Sequence, residues 1–131
     1  MKTFEPIPRE TERVAKVIIE AAFKVHSSLG PGLLESVYEV CLAYELEKRG
    51  MKVERQFTLP VVYERIRLDA GLRLDMVVDQ SVIVELKVVE KINSIFEAQL
   101  LTYLKLTGKR LGLLVNFNVP LIKDGIKRMV L

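Results

Sequence analysis

The chain predicts an α/β domain, α+β in the order of its elements, built on a mixed sheet. Three observations carry that prediction. Two stretches of helical apolar spacing open the sequence. A run of strand-like segments follows them. A strand–helix–strand unit from Val82 to Asn116 then fits a right-handed parallel crossover.

Each element has its own signal. Pro6 and Pro8 mark an extended lead-in. From about Arg9 to Leu29, the residues Val14, Val17, Ile18, Ala21, Ala22, Val25 and Leu29 form one apolar stripe at helical spacing. Gly30 suits the end of that helix, and Pro31 suits the start of the next. The second helix is expected from about Pro31 to Arg49, closed by Gly50. Leu33, Leu34, Val37, Tyr38, Val40, Cys41, Leu42 and Tyr44 make it apolar nearly all round, which predicts burial on more than one side. Strand-like segments follow at Lys52 to Thr58, Pro60 to Tyr63 and Ile66 to Asp69, with a tight turn at Glu64-Arg65. Leu72 to Val78 and Val82 to Val89 read as two more strands, joined by Asp79-Gln80-Ser81. Ser94-Ile95-Phe96-Glu97 has the pattern of a capping box, with serine at the N-cap and glutamate three residues on. The helix it opens ends near Gly108, and Leu111 to Asn116 reads as a buried strand. Ile126 to Leu131 is compatible with a short strand or a short helix.

Composition excludes several classes. At 131 residues, 50% of them hydrophobic, the sequence supports a real core and reads as a single domain over 1–131 without repeat or linker. No apolar run reaches the roughly 18–20 residues that span a bilayer. Met1 to Pro6 lack an apolar signal core, so a cytoplasmic location and no membrane partner are expected. Cys41 is the one cysteine, and its apolar neighbours favour a packed thiol. His26 is the one histidine. Disulfides, a zinc cluster and an iron–sulfur cluster each need more ligands than these. A net charge of +3 and a pI near 9.0 permit nucleic-acid binding without demanding it.

The chemistry is concentrated where charge interrupts buried strand. Asp75 follows Leu72 and Leu74, and Glu85 and Lys87 alternate with Val84, Leu86 and Val88. Charge in such strands costs several kcal/mol unless something offsets it, and for a carboxylate pair the usual offset is a bound cation. Glu85 and Lys87 share a strand face. A three-residue loop at Asp79-Gln80-Ser81 brings Asp75 opposite Glu85, whereas a two-residue turn sends it to the other face unless a bulge intervenes. With the first register, Asp75 and Glu85 offer hard oxygen ligands to Mg²⁺ or Mn²⁺, joined by the backbone carbonyl of Leu86. Lys87 would then orient water or neutralise charge at phosphorus. At least one acid of such a pair, Glu85 first, should have a raised pKa. A plainer reading makes Glu85 and Lys87 a solvent-facing pair on a one-sided sheet. Glu35, in a first helical turn, reads equally as a dipole-favoured carboxylate. Gln99 and Tyr103 share one helical face, as an amide and a phenol at a core edge also would. His26 is a secondary site candidate, with packing or capping as its ordinary role. Arg73 and Lys91 flank the cleft, as phosphate contacts or as solvated charges.

Gly32-Leu33-Leu34-Glu35-Ser36-Val37-Tyr38 reads as G-x-x-E-x-x-Y. With Leu74-Asp75, Val82 to Lys87, Glu97 to Leu104 and Gly112 to Phe117, the chain from about Val14 to Asn118 resembles the GxxExxY proteins of the PD-(D/E)xK nuclease superfamily. The resemblance implies a restriction-endonuclease-like core, α-β-β-β-α-β, here preceded by an extra N-terminal helix. It implies catalytic roles for Glu35, Asp75, Glu85, Lys87 and Gln99, with Glu35 helping to hold the metal or its water. Tyr38, Arg73, Lys91 and Tyr103 are expected to bind substrate. Two positions depart from the pattern: Leu74 stands where the superfamily's name has proline, and Phe96 stands where a histidine is common in relatives. The implied function is Mg²⁺-dependent hydrolysis of nucleic acid, DNA before RNA, by a homodimer with structure-selective or weakly specific cutting. The alternative is a catalytically silent nucleic-acid-binding or dimerisation module of the same fold, in which Asp75 and Glu85 are salt-bridged to Lys87 and Arg73.

Overall fold

The computed structural model describes residues 5–131; Met1 to Phe4, part of the N-terminal reading, lie outside the described residues. The first apolar stripe becomes α1, Arg9–Leu29, whose buried side includes Val14, Ile18, Ala22 and Val25. α2 is Glu35–Lys48 and starts four residues later than Pro31 suggests. Gly30 and Gly32 both have positive φ, +73° and +97°, so the chain turns through this corner before it can coil. Leu34, in extended geometry, is the N-cap.

Three antiparallel strands follow: β1 (Val53–Tyr63), β2 (Ile66–Val78) and β3 (Val82–Lys87). The sequence divides β1 at Pro60 and β2 near Asp69 to Gly71, but both strands run through. β1 is an edge strand, where a proline without N–H is tolerated, and the register shifts between Leu59 and Val61. Glu64-Arg65 is the expected two-residue turn, between paired Tyr63 and Ile66. β3 ends at Lys87 and not at Val89, because the buried Asn116 side chain takes over the backbone there. Its Nδ2 donates to the Val89 carbonyl at 2.9 Å, and its Oδ1 accepts from the Val89 N–H at 3.1 Å.

α3, Ser94–Thr107, crosses over to β4, Leu111–Asn116, which pairs parallel with β3. The N-cap of α3 is Asn93 and not Ser94: its Oδ1 accepts from the Ile95 N–H at 3.0 Å. Asn caps as well as Ser, and its extended backbone fits the position. Glu97 is therefore released from the capping box and pairs with Lys127 at 2.7 Å. After a short 3₁₀ turn (Ile122–Asp124), the last segment is a strand, β5 (Ile126–Val130), antiparallel to β4.

The sheet order is β1-β2-β3-β4-β5. One face, with Met76, Val78, Val84, Leu86, Leu113 and Val115, packs on α1 and α2. The other, with Leu74, Val77, Ile83 and Leu114, packs on Leu100 and Leu104 of α3. This mixed α/β architecture matches the expected core with its additional first helix. No helix among the described residues is long and apolar enough to cross a membrane.

Gly112 sets how closely α3 approaches the sheet. A Cβ there would lie 2.8 Å from Leu100 Cδ1 and 3.0 Å from its Cγ, and Leu100 is fully buried. Gly112→Ala should therefore destabilise the fold by about 1–3 kcal/mol in urea unfolding, through overpacking. A neutral substitution would mean that α3 is free to shift.

Candidate active site

The loop after β2 decides the register. Val78 pairs with Val82 across the three residues 79–81, and Asp79 and Gln80 take positive φ of 49° and 57°. Val77 then pairs with Ile83 and Met76 with Val84, which aligns Asp75 with Glu85. The ladder stops at that point. In its place the Leu86 N–H donates to Asp75 Oδ2 at 2.9 Å. A carboxylate is thus inserted where a backbone carbonyl would pair, and β2 parts from β3.

Residue alternation also breaks at Asp75. Met76 and Val78 face α1 and α2, yet both Val77 and Leu74 join the core under α3. The cause lies one strand away. β1 and β2 pair at Arg55–Met76 and Phe57–Leu74 but pass over Gln56 and Asp75, and Gln56 has φ +49°. Gln56 Nε2 donates to Glu39 Oε1 at 2.6 Å, and Arg55 donates to Glu39 Oε2 at 2.9 Å. The left-handed residue is held from α2, and its distortion turns β2 at the acid. Neither Gln56 nor Glu39 stands out in the sequence reading. The available signal was a second acid, Glu39, one turn beyond Glu35 on the same helix face.

Glu85 is 5% exposed, and its Oε1 is buried without a hydrogen-bond donor. Burial first, then a hydrogen bond to Asp75 and the charge of Asp75, push its pKa up to about 9; Lys87 opposes the shift. Two carboxyl groups this close favour a proton on one of them, and the raised pKa puts it on Glu85. A raised pKa at Glu85 is the expected sign of a paired site. Glu35, the first residue of α2, is open to solvent, but partial desolvation and then the charge of Asp75 raise its pKa, again against Lys87. Burial, Glu85 and Asp75 likewise raise the Tyr103 phenol. Lys87 Nζ sits 4.6 Å from the centre of the Phe96 ring, a cation–π contact at the position where histidine is absent. Phe96, Gln99 and Tyr103 share one face of α3, so Gln99 lies between a residue touching Lys87 and one sensing both acids.

The G-x-x-E-x-x-Y stretch acquires a structural meaning. Tyr38 is fully buried; its hydroxyl donates to the Gly30 carbonyl at 2.6 Å and accepts from the Leu33 N–H at 3.1 Å. Its ring stacks on Phe117, centroids 4.5 Å apart, and the Phe117 N–H bonds the Lys87 carbonyl at 3.1 Å. Gly32 and Tyr38 therefore fix the start of α2, and with it Glu35, beside the end of β3. Tyr38 is not available to substrate, contrary to the sequence expectation, because its ring and hydroxyl are both consumed by the corner. His26 is also structural: its Nε2–H donates to the Val119 carbonyl at 2.7 Å. Lys91 is exposed beside a cleft lined by Glu90, Glu97 and Lys127, and Arg73 is exposed but close enough to oppose the Tyr103 shift. Among the described residues, no ion pair joins Asp75 or Glu85 to Lys87 or Arg73, so the salt-bridged reading of the acids is not what the fold contains.

Residues 12–129 match the family described as the PD-(D/E)XK nuclease superfamily. The chain belongs to that superfamily. Nothing among curated proteins or solved structures matches it. PD-(D/E)XK nucleases generally use divalent metals, and the donor set here fits one. An unpartnered buried Glu85 oxygen lies beside the Asp75 carboxylate, two hard donors that a cation would satisfy. The Leu86 carbonyl shares the β3 edge from which its N–H reaches Asp75. Among the described residues, no three His, Cys, Asp or Glu side chains group closely enough to hold an ion. Glu35 is thus not brought in as a third ligand: it stands at a helix start, within Coulombic reach only.

Two measurements check this architecture. Tyr38→Phe should cost about 1–2 kcal/mol in urea unfolding, because a half-buried carbonyl and N–H lose their partner. A loss near zero would detach the tyrosine from the corner. Glu85 keeps its proton in the fold at pH values where the unfolded chain has released it, so its stabilising contribution is complete below about pH 4.5 and lost as pH rises toward about 9. In chelator, Glu85→Gln should therefore gain stability over wild type as pH rises from about 5 to 8, by up to about 4 kcal/mol. A difference that does not change with pH would show an ordinary, solvated carboxylate.

Proposed function

We propose that this protein is a divalent-metal-dependent nuclease, of the GxxExxY kind, that hydrolyses phosphodiester bonds in DNA and acts as a homodimer in the cytoplasm. The observation that carries the reading is the aligned Asp75–Glu85 pair, with one buried oxygen lacking any donor. Asp75, Glu85 and the Leu86 carbonyl would hold Mg²⁺ or Mn²⁺, whose charge polarises the scissile phosphate.

The chain's own groups do the rest. Lys87, steadied against Phe96, places an ammonium beside the acids to meet negative charge as water attacks phosphorus. The new P–O bond forms as the ester P–O bond breaks, and the departing oxygen takes up a proton. Glu35, with its pKa raised, orients the water and accepts its proton. Gln99 and Tyr103 approach from α3 and position the substrate. Arg73 and Lys91 supply phosphate contacts at the margin. Structure-selective or weakly specific cutting is part of the same reading.

A cleavage screen tests this. Wild type and Lys87→Ala would be incubated with single-stranded, duplex, flapped and branched DNA and with RNA, in Mg²⁺ and in Mn²⁺. Wild type should cut at least one DNA form, with a loss of about 100-fold or more in the variant. Tight binding without cleavage in either metal would favour the silent module, and equal activity in both proteins would indicate a contaminant.

A further inference from the structure

The sequence marks α2 for burial on more than one side, and the fold buries only one. Tyr38, Leu42 and Leu46 enter the core, but Leu34, Tyr44 and Val40 are 73%, 62% and 52% exposed. Leu29, Leu33 and Val37 extend the same bare surface. Together these side chains leave about 600 Å² of apolar area to water, the upper end for a monomer.

We infer that this face is the surface through which two copies of the chain pair, α2 against α2 in antiparallel fashion. This deepens the homodimer part of the proposed reading, and it does not depend on the cleavage chemistry. The shape is self-complementary. Leu34 projects at the start of the helix. An apolar groove between α1 and α2, lined by Val25, Leu29, Val40, Cys41 and Tyr44, opens toward the other end. The projection and the groove are about 15 Å apart along one helix. A two-fold axis midway between them seats each copy's Leu34 in the other's groove, as an isologous contact requires. Val37, Val40 and Tyr44 recur at three- and four-residue steps, the spacing of a helix seam. Two such faces could bury at most about 1,200 Å², the lower end of the range of specific dimers. The groove's rim carries Lys24 and Glu45, which attract each other, and not the cationic frame a polyanion needs.

Sedimentation of the full chain, without metal or nucleic acid, tests the assignment between about 5 and 200 µM. Wild type should move to twice its 15.0 kDa mass. Val40→Glu and Leu34→Glu should each weaken association about tenfold or more while keeping the wild-type circular dichroism spectrum, since both positions are exposed in the single chain. Tyr63→Glu with Ile66→Lys, at the bare tip of the β1–β2 hairpin, should leave the dimer intact. A wild type that stays monomeric throughout would overturn the inference. So would a dimer that survives both α2 substitutions, or one that the hairpin variant alone dissolves. A dimer that cuts nothing would leave this interface standing and remove only the nuclease reading.

Discussion

The rest of the structure turns on one unfavourable contact: two carboxyl groups meet where β2 and β3 separate. An unpartnered buried acceptor alone costs about 1–3 kcal/mol, and Glu85 Oε1 is such an acceptor. Among the described residues, no salt bridge relieves it. Lys87 lowers the pKa of both Glu85 and Glu35, yet its ammonium rests on the Phe96 ring. Asp75 Oδ2 accepts from the Leu86 N–H, and the charge of Asp75 helps keep Glu85 protonated. The arrangement is poor for stability and suited to a ligand of positive charge, the pattern expected where function overrides local consistency.

Two supports far apart in sequence hold that contact in place. From one side, Glu39 fixes Gln56 in a left-handed conformation, which a non-glycine residue adopts only when its surroundings impose it. This interrupts β1–β2 pairing opposite Asp75 and turns the strand. From the other side, the Tyr38 ring lies on Phe117, whose N–H holds the Lys87 carbonyl. α2 thus carries both supports, with Glu35 at its start, Tyr38 one turn on and Glu39 beside it.

Much of this was legible because spacing constrains register. Three loop residues between Val78 and Val82 leave one antiparallel alignment in which Asp75 meets Glu85, and the structure has it. The apolar run of β4 and the stripe of α1 have the expected bounds. The misses have physical causes. Pro31 resembles a helix start, but Gly32 at positive φ delays it. Ser94 fits a capping box, but the residue before it caps as well. Tyr38 looks like a ligand-facing phenol until both its hydrogen-bonding capacities are seen spent on the corner. Glu35 starts α2 and senses Asp75 and Lys87 through charge, which its place in a first helical turn alone did not reveal. Gln56 was invisible because nothing in a strand's composition announces a left-handed residue.

α2 explains why its own sequence lacks an amphipathic stripe. One side must lie against the sheet and carry Tyr38 and Leu42 into the core. The edge beside it must present acids to β1 and to the site. The remaining side is apolar where a helix serving one chain would be polar. On the proposed reading, a helix that both positions a site acid and pairs with its own copy would keep little of its length for water. Pairing through that helix would also fix the distance between two sites, because each Glu35 lies next to a Leu34 that enters the other copy's groove. The geometry of the acids and the geometry of assembly would then be set by the same helix, α2.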